Sequence, residues 1–337
     1  MARVLLLFGG RSEEHEVSCV SGVAALEALA TKGHEVVLVG IDRSGGWHLA
    51  DPAVRPLEAS GPAVTLEVPA GELVADGRRI AVDVAFPVLH GPFGEDGTIQ
   101  GLFEMIDLPY VGSGVLGSAI GMDKDVAKRL CRDAGIPVGP FAVVRASEWA
   151  GGPEPVVGAL ADDLGYPVFV KPAALGSSVG ISKAADDGEL KGAVDEALRH
   201  GTKAVVEAAI EGREIEVAVL EGPRSSVPGE IVVHGGWYDY DAKYRDDATE
   251  LFVPAQLSEA ATEQVRDLAA RAFEVLEGVG LARVDFFYEE KGRGFLLNEL
   301  NTMPGFTPVS MFPMLWAATG MPYADLCDEL VSLAMGR

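Results

Sequence analysis

The sequence contains few cysteines, and they follow no pairing pattern. Cys19, Cys131 and Cys327 are odd in number and widely separated along the chain. A disulfide framework requires paired cysteines, and a structural zinc site requires closely spaced ligands, so the pattern argues against both. Three isolated cysteines are typical of a reducing compartment, and we expect the chain to be cytoplasmic.

Basic residues are also scarce. The 337 residues include 27 lysines and arginines against 51 aspartates and glutamates, which gives a formal net charge of −24. A nucleic-acid partner is not expected, because such proteins need a basic face. No stretch approaches the ~18–20 apolar residues of a membrane-spanning helix, and the first residues lack a signal-peptide pattern. The sequence therefore predicts a soluble protein without a membrane partner.

The chain begins with an alternation of strand, turn and helix. Val4–Phe8 is a continuous apolar run, as in a buried parallel strand, and Val36–Ile41 is predicted as the next strand. Between them, Ser12 is predicted to cap a helix whose apolar residues run from Val17 to Leu29. The turn lacks the Gly-x-Gly-x-x-Gly fingerprint, which argues against an NAD-dependent dehydrogenase.

Two loops that follow predicted strands carry candidate ligand-binding residues. Glu13, Glu14 and Glu16 follow the first glycine turn, where they either compensate the helix dipole or bind a cationic substrate group. The strand Val82–Leu89 runs into His90 and a glycine-rich acidic loop, a place where α/β folds bind ligands. A tight turn in which His90 caps the strand is the alternative, which the loop alone favours slightly, so both loops stay open. Further on, Thr98–Met105 is predicted as a helix and Gly112–Gly121 as a hinge that closes the first domain.

Two lysines occupy positions suited to phosphate. Lys124 lies in the first turn of the predicted helix Met122–Ala134, where a cation opposes the helix dipole unless an anion is nearby. The predicted strand Pro167–Val170 leads into Lys171 and then the Gly-Ser-Ser loop at Leu175–Gly180. Glycines permit close backbone approach to phosphates, and hydroxyl and amide groups donate hydrogen bonds to them. A flexible linker is the alternative, and the order of residues is not that of a Walker A loop.

The last part of the chain predicts a hairpin with three oxygen-bearing side chains on one face. Its strands are Arg283–Tyr288 and the run that starts at Gly294. Carboxylates are depleted from strand interiors, so their presence here needs an explanation. Glu299 and Asn301 are two residues apart and share a face, which Asp285 can oppose from the partner strand. Such ligands suit Mg²⁺. Polar residues that merely end an ordinary hairpin are the alternative, and the hairpin alone does not decide.

The remaining predictions concern elements around this hairpin. Glu214 and Glu216 alternate with apolar residues and share one face of a strand. Gly235–Thr249, which holds Lys243 and Tyr244, is either a binding lid or a solvated surface loop. The other predicted elements are strands at Phe141–Val144, Ala204–Glu207 and Glu214–Leu220, and helices at Leu257–Glu277, Phe312–Thr319 and Tyr323–Met335.

Taken together, these motifs resemble the D-alanine–D-alanine ligase family of the ATP-grasp superfamily. The resemblance rests on five runs in order: Gly9-Gly10-x-Ser-x-Glu14-His15-Glu16-Val17-Ser18, His90-Gly91-x-x-Gly-Glu95-Asp96-Gly97, Met122-Asp123-Lys124, Tyr238-Asp239-Tyr240-x-x-Lys243-Tyr244 and Asn298-Glu299-x-Asn301-Thr302-x-Pro304-Gly305. It implies α/β and α+β architecture, with an N-terminal Rossmann-like domain followed by a two-subdomain ATP-grasp fold. The implied domains are residues 1–121, 122–211 and 212–337.

The resemblance also implies roles for individual residues. ATP would be bound by Lys124, Lys171, Ser178, Val179, Glu207, Ala209, Ile210, Glu214 and Lys243. Two Mg²⁺ (or Mn²⁺) ions would be held by Asp285, Glu299 and Asn301. The catalytic group would comprise Glu14, Ser177, Tyr244, Arg283 and Gly305, with Glu14 on the ammonium of the first D-alanine and Arg283 and the Gly305 amide stabilising the transition state. His90, Ser310 and Met311 would contact substrate.

The implied reaction joins two D-alanines for peptidoglycan precursors. ATP would phosphorylate the carboxylate of the first, and the amine of the second would attack the resulting acyl phosphate. Tyr244 favours an amine acceptor over D-lactate, although ligases with D-lactate or D-serine acceptors remain the alternative. Ala173-Ala174-Leu175 and Trp237 depart from the usual family residues. A nucleotide-binding regulator without chemistry is a further reading, against which Arg283 and the metal ligands argue. The family suggests a homodimer.

Overall fold

A computed structural model describes residues 1–67, 72–176, 180–233 and 249–337. The first sheet has the order β3-β2-β1-β7, in which β1 pairs in parallel with β2 and β7 and the short β3 is antiparallel. Its elements are β1 Arg3–Gly9, α1 His15–Thr31, β2 Glu35–Ile41, β3 Trp47–Leu49 and β7 Val84–Pro87. The predicted strand-helix-strand start is confirmed.

Two details of this region differ from the predictions. The helix begins at His15 and not near Ser12, whose hydroxyl donates to the His90 carbonyl (2.7 Å) and accepts from the Glu14 amide (3.2 Å). Ser12 therefore joins two loops and caps no helix. The stretch from Pro52 to Arg79, which reads as loop-rich, also contains a small antiparallel sheet of β4 Val64–Glu67, β5 Glu72–Ala75 and β6 Arg78–Ile80.

The predicted hinge at Gly112–Gly121 is wrong. After α2 Thr98–Met105, the chain forms α3 Val115–Met122 and, beyond Asp123, α4 Lys124–Asp133. A Cβ atom at Gly117 would collide with the Glu277 carbonyl oxygen, and one at Gly121 would lie 3.1 Å from Thr302. The glycines therefore permit close packing of a helix, which the sequence reading took for flexibility.

A second, antiparallel sheet follows, in the order β10-β9-β11-β8. Its strands are β8 Phe141–Arg145, β9 Val168–Pro172, β10 Ser182–Ala184 and β11 Lys203–Ala208. Helices α5 Ala146–Trp149, α6 Pro153–Leu164 and α7 Asp187–Arg199 accompany it. We call this the central sheet.

The third sheet contains the predicted hairpin and has the order β14-β13-β12-β15-β16. Its strands are β12 Arg213–Leu220, β13 Arg224–Val233, β14 Thr249–Phe252, β15 Leu281–Glu289 and β16 Gly294–Asn301. Helix α8 Glu259–Val275 precedes the hairpin, and α9 Met311–Thr319 and α10 Tyr323–Met335 follow it, so the predicted hairpin and closing helices are confirmed. Each of the three predicted domains contains one of the larger sheets, while the exact domain boundaries stay predictions.

One apolar core connects the two ends of the chain. It combines strands β1 and β7 with the last two helices, and Phe306 lies 5.5 Å from Phe86 and 6.1 Å from Phe312 between ring centroids. This packing fixes the turn after β16 against the first sheet, which brings the His90 loop to the end of the hairpin. Within the described ranges, no helix is both long and apolar enough to cross a membrane.

Candidate active site

A cavity of about 310 Å³ is lined by residues of both the central and the third sheet. Eight of the predicted site residues line it: Lys124, Lys171, Glu207, Ile210, Glu214, Arg283, Asp285 and Glu299. A smaller adjoining cavity shares Lys124 and Glu299 with the first and adds Asn301. The structure therefore brings nine of the predicted residues to one connected space.

The central sheet contributes a buried ion pair. Lys171 on β9 lies opposite Val205 on β11, two residues from Glu207, so both charged side chains share one face. The Lys171 ammonium donates to Glu207 Oε2 at 2.8 Å and to Asn298 Oδ1 at 3.3 Å. Burial alone would lower the pKa of Lys171, but the neighbouring Glu207 carboxylate more than offsets this and raises it. The lysine is therefore held in its charged form.

Lys124 reaches the same space from the start of α4. Its ammonium donates to the Leu175 carbonyl at 2.7 Å and lies 3.4 Å from Glu299 Oε2. Leu175 immediately precedes Gly176 and the segment 177–179, which lies outside the described residues. Lys124 thus connects helix α4 with the first residue of the Gly-Ser-Ser loop and with Glu299 of the hairpin.

The third sheet places three carboxylates in a row across adjacent strands. Glu216 on β12 lies opposite Asp285 on β15, and Asp285 lies opposite Glu299 on β16. Like charges directly opposite each other destabilise a sheet, so this row needs cations. Arg283 supplies one: its guanidinium binds both oxygens of Asp285 at 2.8 Å, and its Nε lies 3.0 Å from Glu216 Oε2.

The chemistry of this row fits a divalent metal. Asp285 and Glu299 offer carboxylate oxygens, and Asn301, whose amide nitrogen donates to Asp285 Oδ2 at 2.9 Å, offers an amide oxygen beside them. Mg²⁺ takes oxygen ligands and usually completes its shell with water and substrate phosphates. Nowhere in the described part of the chain do three or more His, Cys, Asp or Glu side chains converge into a metal cluster. A metal here would therefore draw further ligands from substrate or solvent.

Comparisons with known proteins identify the family. Models described as D-ala D-ala ligase N-terminus and D-ala D-ala ligase C-terminus match residues 3–113 and 130–332. The D-alanine–D-alanine ligase of Pseudarthrobacter chlorophenolicus is 49% identical over 99% of this chain and 94% of its own length. That of Enterococcus faecalis is 46% identical over 99% of both chains. The chain belongs to the D-alanine–D-alanine ligase family.

Solved structures of this family share the fold. The D-alanine–D-alanine ligase from Coxiella burnetii superposes with a TM-score of 0.87 at 36% identity, covering 100% of this chain and 96% of that one. The VanG D-Ala:D-Ser ligase from Enterococcus faecalis gives a TM-score of 0.88 at 33% identity, covering 98% and 99%. The predicted ATP-grasp architecture is therefore confirmed.

Several residues predicted from the ligase family do not line the cavity or are not described. Ser177, Ser178, Val179, Lys243 and Tyr244 lie outside the described residues, as does Trp237. Ala209 is half-buried beside the cavity lining, and its amide donates to the Pro167 carbonyl at 3.1 Å. Its neighbours Ala208 and Ile210 line the cavity, and Ala209 itself does not.

Glu14 and His90 lie in the loops that follow strands of the first sheet, and neither lines either of the two cavities. Idealised Cβ atoms on Gly91 and Gly176 would lie 2.7 and 3.5 Å from Glu14 Oε2, so this carboxylate sits between the two loops. His90 Nδ1 donates to the Met303 carbonyl (2.9 Å), and its Nε2 lies 3.1 Å from the Ser21 hydroxyl. Burial lowers the pKa of His90, so the ring is neutral and Nε2 accepts from that hydroxyl. Both ring nitrogens are therefore used by protein contacts.

Gly305, Ser310 and Met311 follow the hairpin as one compact turn. A Cβ on Gly305 would lie 3.1 Å from Ser310 Oγ, and that oxygen accepts from the Thr307 amide at 3.1 Å. Met311 is buried at the start of α9. None of these three lines either of the two cavities. The structure groups them at the exit of β16, beyond Asn301.

Four polar residues at the site were not assigned from the sequence: Glu95, Lys128, Glu216 and Asn298. Glu95 accepts from the Gly91 amide (2.6 Å) and the Met303 amide (3.0 Å), which fastens the His90 loop to the hairpin exit. Burial and then the charge of Glu14 raise the pKa of Glu95 to about 8. Asn298 sits at a β-bulge, where the β15–β16 register shifts by one residue and the side chain turns towards Lys171. In the sequence, Glu216 alternates with Glu214, and Glu95 and Asn298 belong to the family motifs, whereas Lys128 left no signal.

Proposed function

We propose that this chain ligates two D-alanines to D-alanyl-D-alanine at the expense of ATP, releasing ADP and phosphate, for peptidoglycan precursor synthesis. The observation that carries the proposal is the cavity itself, where Lys124 of α4 and Lys171 of the central sheet face the carboxylate row of the third sheet. The lysine ammonium groups can bind phosphate, and the carboxylates can bind the metal ions that accompany it. Family membership supports the same reaction, since the relatives are named for it.

The nucleotide would lie with its phosphates between Lys124 and Lys171. Both lysines are buried and line the cavity. Glu207, Ile210 and Glu214 line the same cavity, and the adenine and ribose would bind beside them. Ala209, Lys243, Ser178 and Val179 remain proposed nucleotide contacts. Buried cations that are positioned in advance stabilise the charge that moves during phosphoryl transfer, and need no reorganisation to do so.

Asp285, Glu299 and Asn301 would hold two Mg²⁺ or Mn²⁺ ions. Bound there, the metal would neutralise negative charge on the phosphoryl group that is transferred. The directly opposed carboxylates support this assignment, because their mutual repulsion makes the row a favourable place for added positive charge. Both oxygens of Asp285 are bonded to Arg283 in this structure, so the proposal requires that Asp285 bind the metal in place of part of that contact.

Glu14 would bind the ammonium group of the first D-alanine. Glu14 and Glu95 are close enough that the charge of Glu14 contributes to the raised pKa of Glu95, so this corner favours a cation. His90 would orient the same substrate, and Ser177 and Tyr244 would complete the site over it. Because His90 already contacts Ser21 and Met303, its influence on substrate would come through the position of the loop.

Arg283 and the Gly305 amide would stabilise the tetrahedral transition state as the second amine attacks the acyl phosphate. A guanidinium held by two carboxylates cannot easily move, which suits a group that must be placed before charge develops. Ser310 and the Met311 amide would receive the carboxylate of the second D-alanine at the start of α9. Cytoplasmic location and a homodimer remain proposals beside this one.

A ligase with a different acceptor is the second candidate, because the VanG D-Ala:D-Ser ligase shares the fold at a TM-score of 0.88. The D-alanine–D-alanine ligases of Pseudarthrobacter chlorophenolicus and Enterococcus faecalis are 49% and 46% identical to this chain, against 33% for VanG. The two are separated by measuring ADP release with ATP and Mg²⁺ in the presence of D-alanine alone, or of D-alanine with D-serine or D-lactate. We expect D-alanine alone to support turnover and to give the dipeptide by mass analysis. ADP release that ignores D-alanine would overturn the proposal.

A further inference from the structure

Lys128 is a buried lysine that the proposed reaction does not use. It lies on α4, one turn after Lys124, and its side chain is 3% exposed. Its ammonium lies 3.1 Å from Glu207 Oε1 and donates to the Leu297 carbonyl at 3.4 Å. Among the described residues that line the cavity, Lys171 and Glu207 are present and Lys128 is not. Lys128 therefore contacts Glu207 from the side that does not line the cavity.

Glu207 is shared between two lysines. One carboxylate oxygen lies 3.1 Å from Lys128 and the other accepts from Lys171 at 2.8 Å. Burial alone would raise the pKa of Glu207, but the two ammonium groups lower it to about 2, so the carboxylate is ionised. Burial lowers the pKa of Lys128 and the charge of Glu207 opposes this, and with that lysine protonated the three directly bonded groups comprise two cations and one anion.

We propose that Lys128 is a positioning residue that binds Glu207 from behind and thereby leaves the charge of Lys171 available for ATP phosphates. Without Lys128, Lys171 would be the only ammonium bonded to Glu207 among the described residues, and the pair would be neutral. A neutral pair attracts phosphate less strongly than a triad with one excess positive charge, and the difference is large in a poorly solvated site. The inference rests on the proposed function, since it assumes that Lys171 faces a nucleotide.

The alternative is that Lys128 only fills space and satisfies the Leu297 carbonyl. The two roles differ in what a second substitution does. If Lys128 acts through the charge of Glu207, then neutralising Glu207 in the Lys128→Met background restores one excess positive charge. If Lys128 is merely structural, Glu207→Gln adds a second defect to the first.

The test measures the affinity of a non-hydrolysable ATP analogue with Mg²⁺ by calorimetry. We expect Lys128→Met to weaken binding roughly tenfold or more, as truncating one partner of a buried charge pair does. The loss caused by Lys128→Met should be smaller in the Glu207→Gln background than in the unmodified protein, and this comparison sets aside any loss that Glu207→Gln causes by itself as a proposed nucleotide contact. The KM for D-alanine should not change in Lys128→Met. The control is Lys191→Met, which removes an exposed lysine paired with Glu154 and should bind like the unmodified protein.

Each outcome has a defined meaning. Unaltered affinity in folded Lys128→Met, or an equal loss from Lys128→Met with and without Glu207→Gln, overturns the inference. If Lys128→Met does not fold, Lys128→Gln repeats the test while keeping a donor for the Leu297 carbonyl. Failure of both variants to fold would give Lys128 a structural role and also overturn it. Absence of nucleotide binding in the unmodified protein would instead contradict the proposed function.

Discussion

Two charge clusters face the same cavity with opposite excess charge. The central-sheet cluster joins Lys128 and Lys171 through the single carboxylate of Glu207. The third-sheet cluster sets the carboxylates of Glu216, Asp285 and Glu299 against the single guanidinium of Arg283, with Lys124 beside Glu299. Among the described residues, the first cluster is cation-rich and the second is anion-rich.

The difference shows how a chain with a net charge of −24 can bind a polyanion. Attraction for phosphate comes from a few buried lysines, whose local field outweighs a distant, solvent-screened surface charge. The anion-rich cluster does not repel the same ligand if metal ions lie between them. Each cluster can be altered separately, and the effects should rank in the order that follows.

Removing a carboxylate from the anion-rich cluster should have the largest effect. Asp285→Asn keeps the shape but removes the charge that would bind metal. We expect kcat for dipeptide synthesis to fall by about a thousandfold or more, since a metal contributes several kcal/mol to the stabilisation of transition-state charge. Steady-state ADP release at saturating substrates measures this, with thermal melting as the check on folding. Near-normal turnover in Asp285→Asn would remove this residue from the metal site.

Removing the guanidinium of Arg283 from the same cluster should have the second-largest effect. Arg283→Met is expected to lower kcat about a hundredfold, as loss of an oxyanion-stabilising donor does, with little change in ATP affinity. The matched control is Arg293→Met, which removes an exposed arginine at the turn of the same hairpin, paired there with Glu289. Equal losses in the two variants would indicate a structural effect of the hairpin and not catalysis.

The cation-rich cluster should affect binding more than turnover. Lys171→Met leaves Glu207 with Lys128 alone, and we expect the KM for ATP to rise roughly tenfold to a hundredfold. The KM for D-alanine should stay within about twofold, because the charge removed lies on the nucleotide side. A rise confined to the KM for D-alanine would reverse the assignment of the two ends of the cavity.

The smallest predicted effect concerns Glu95, which connects the first sheet to the hairpin exit. Its pKa in the folded protein is raised to about 8 from an ordinary value near 4.5, because it is buried close to Glu14. The folded state therefore binds this proton more tightly than the unfolded state, and stability should fall as pH rises from about 5 to about 8. Glu95→Gln should flatten that decline by a few °C in melting temperature. Melting curves of both proteins across this range make the comparison, and parallel curves would contradict it.

The sequence predicted the strands and helices with strong periodicity and the oxygen ligands of the hairpin. Asp285, Glu299 and Asn301 were identifiable because Asp, Glu and Asn are depleted from strands. The alternation of side chains along a strand places every second residue on the same face. The structure bears out that shared face and the pairing of Asp285 with Glu299. Their role towards metal remains a proposal.

Other features depend on contacts between distant segments and left no local signal. Lys128 is an ordinary helix residue in sequence, and only the packing of α4 against β11 and β16 makes it a partner of Glu207. Gly117 in α3 was misread as part of a hinge because a glycine needed for close packing and one needed for flexibility look alike in sequence. Asn298 faces Lys171 through a bulge that strand alternation does not anticipate.

The most direct test of the central claim follows the oxygen atoms of the first substrate. D-alanine labelled with ¹⁸O in its carboxylate is incubated with ATP and Mg²⁺, and phosphate and dipeptide are analysed by mass spectrometry. If the carboxylate is phosphorylated and the second amine then displaces phosphate, one labelled oxygen leaves with each phosphate and one stays in the new amide carbonyl. The account predicts that transfer of label, in proportion to the dipeptide formed. Dipeptide accompanied by unlabelled phosphate, or label recovered in AMP, would contradict it.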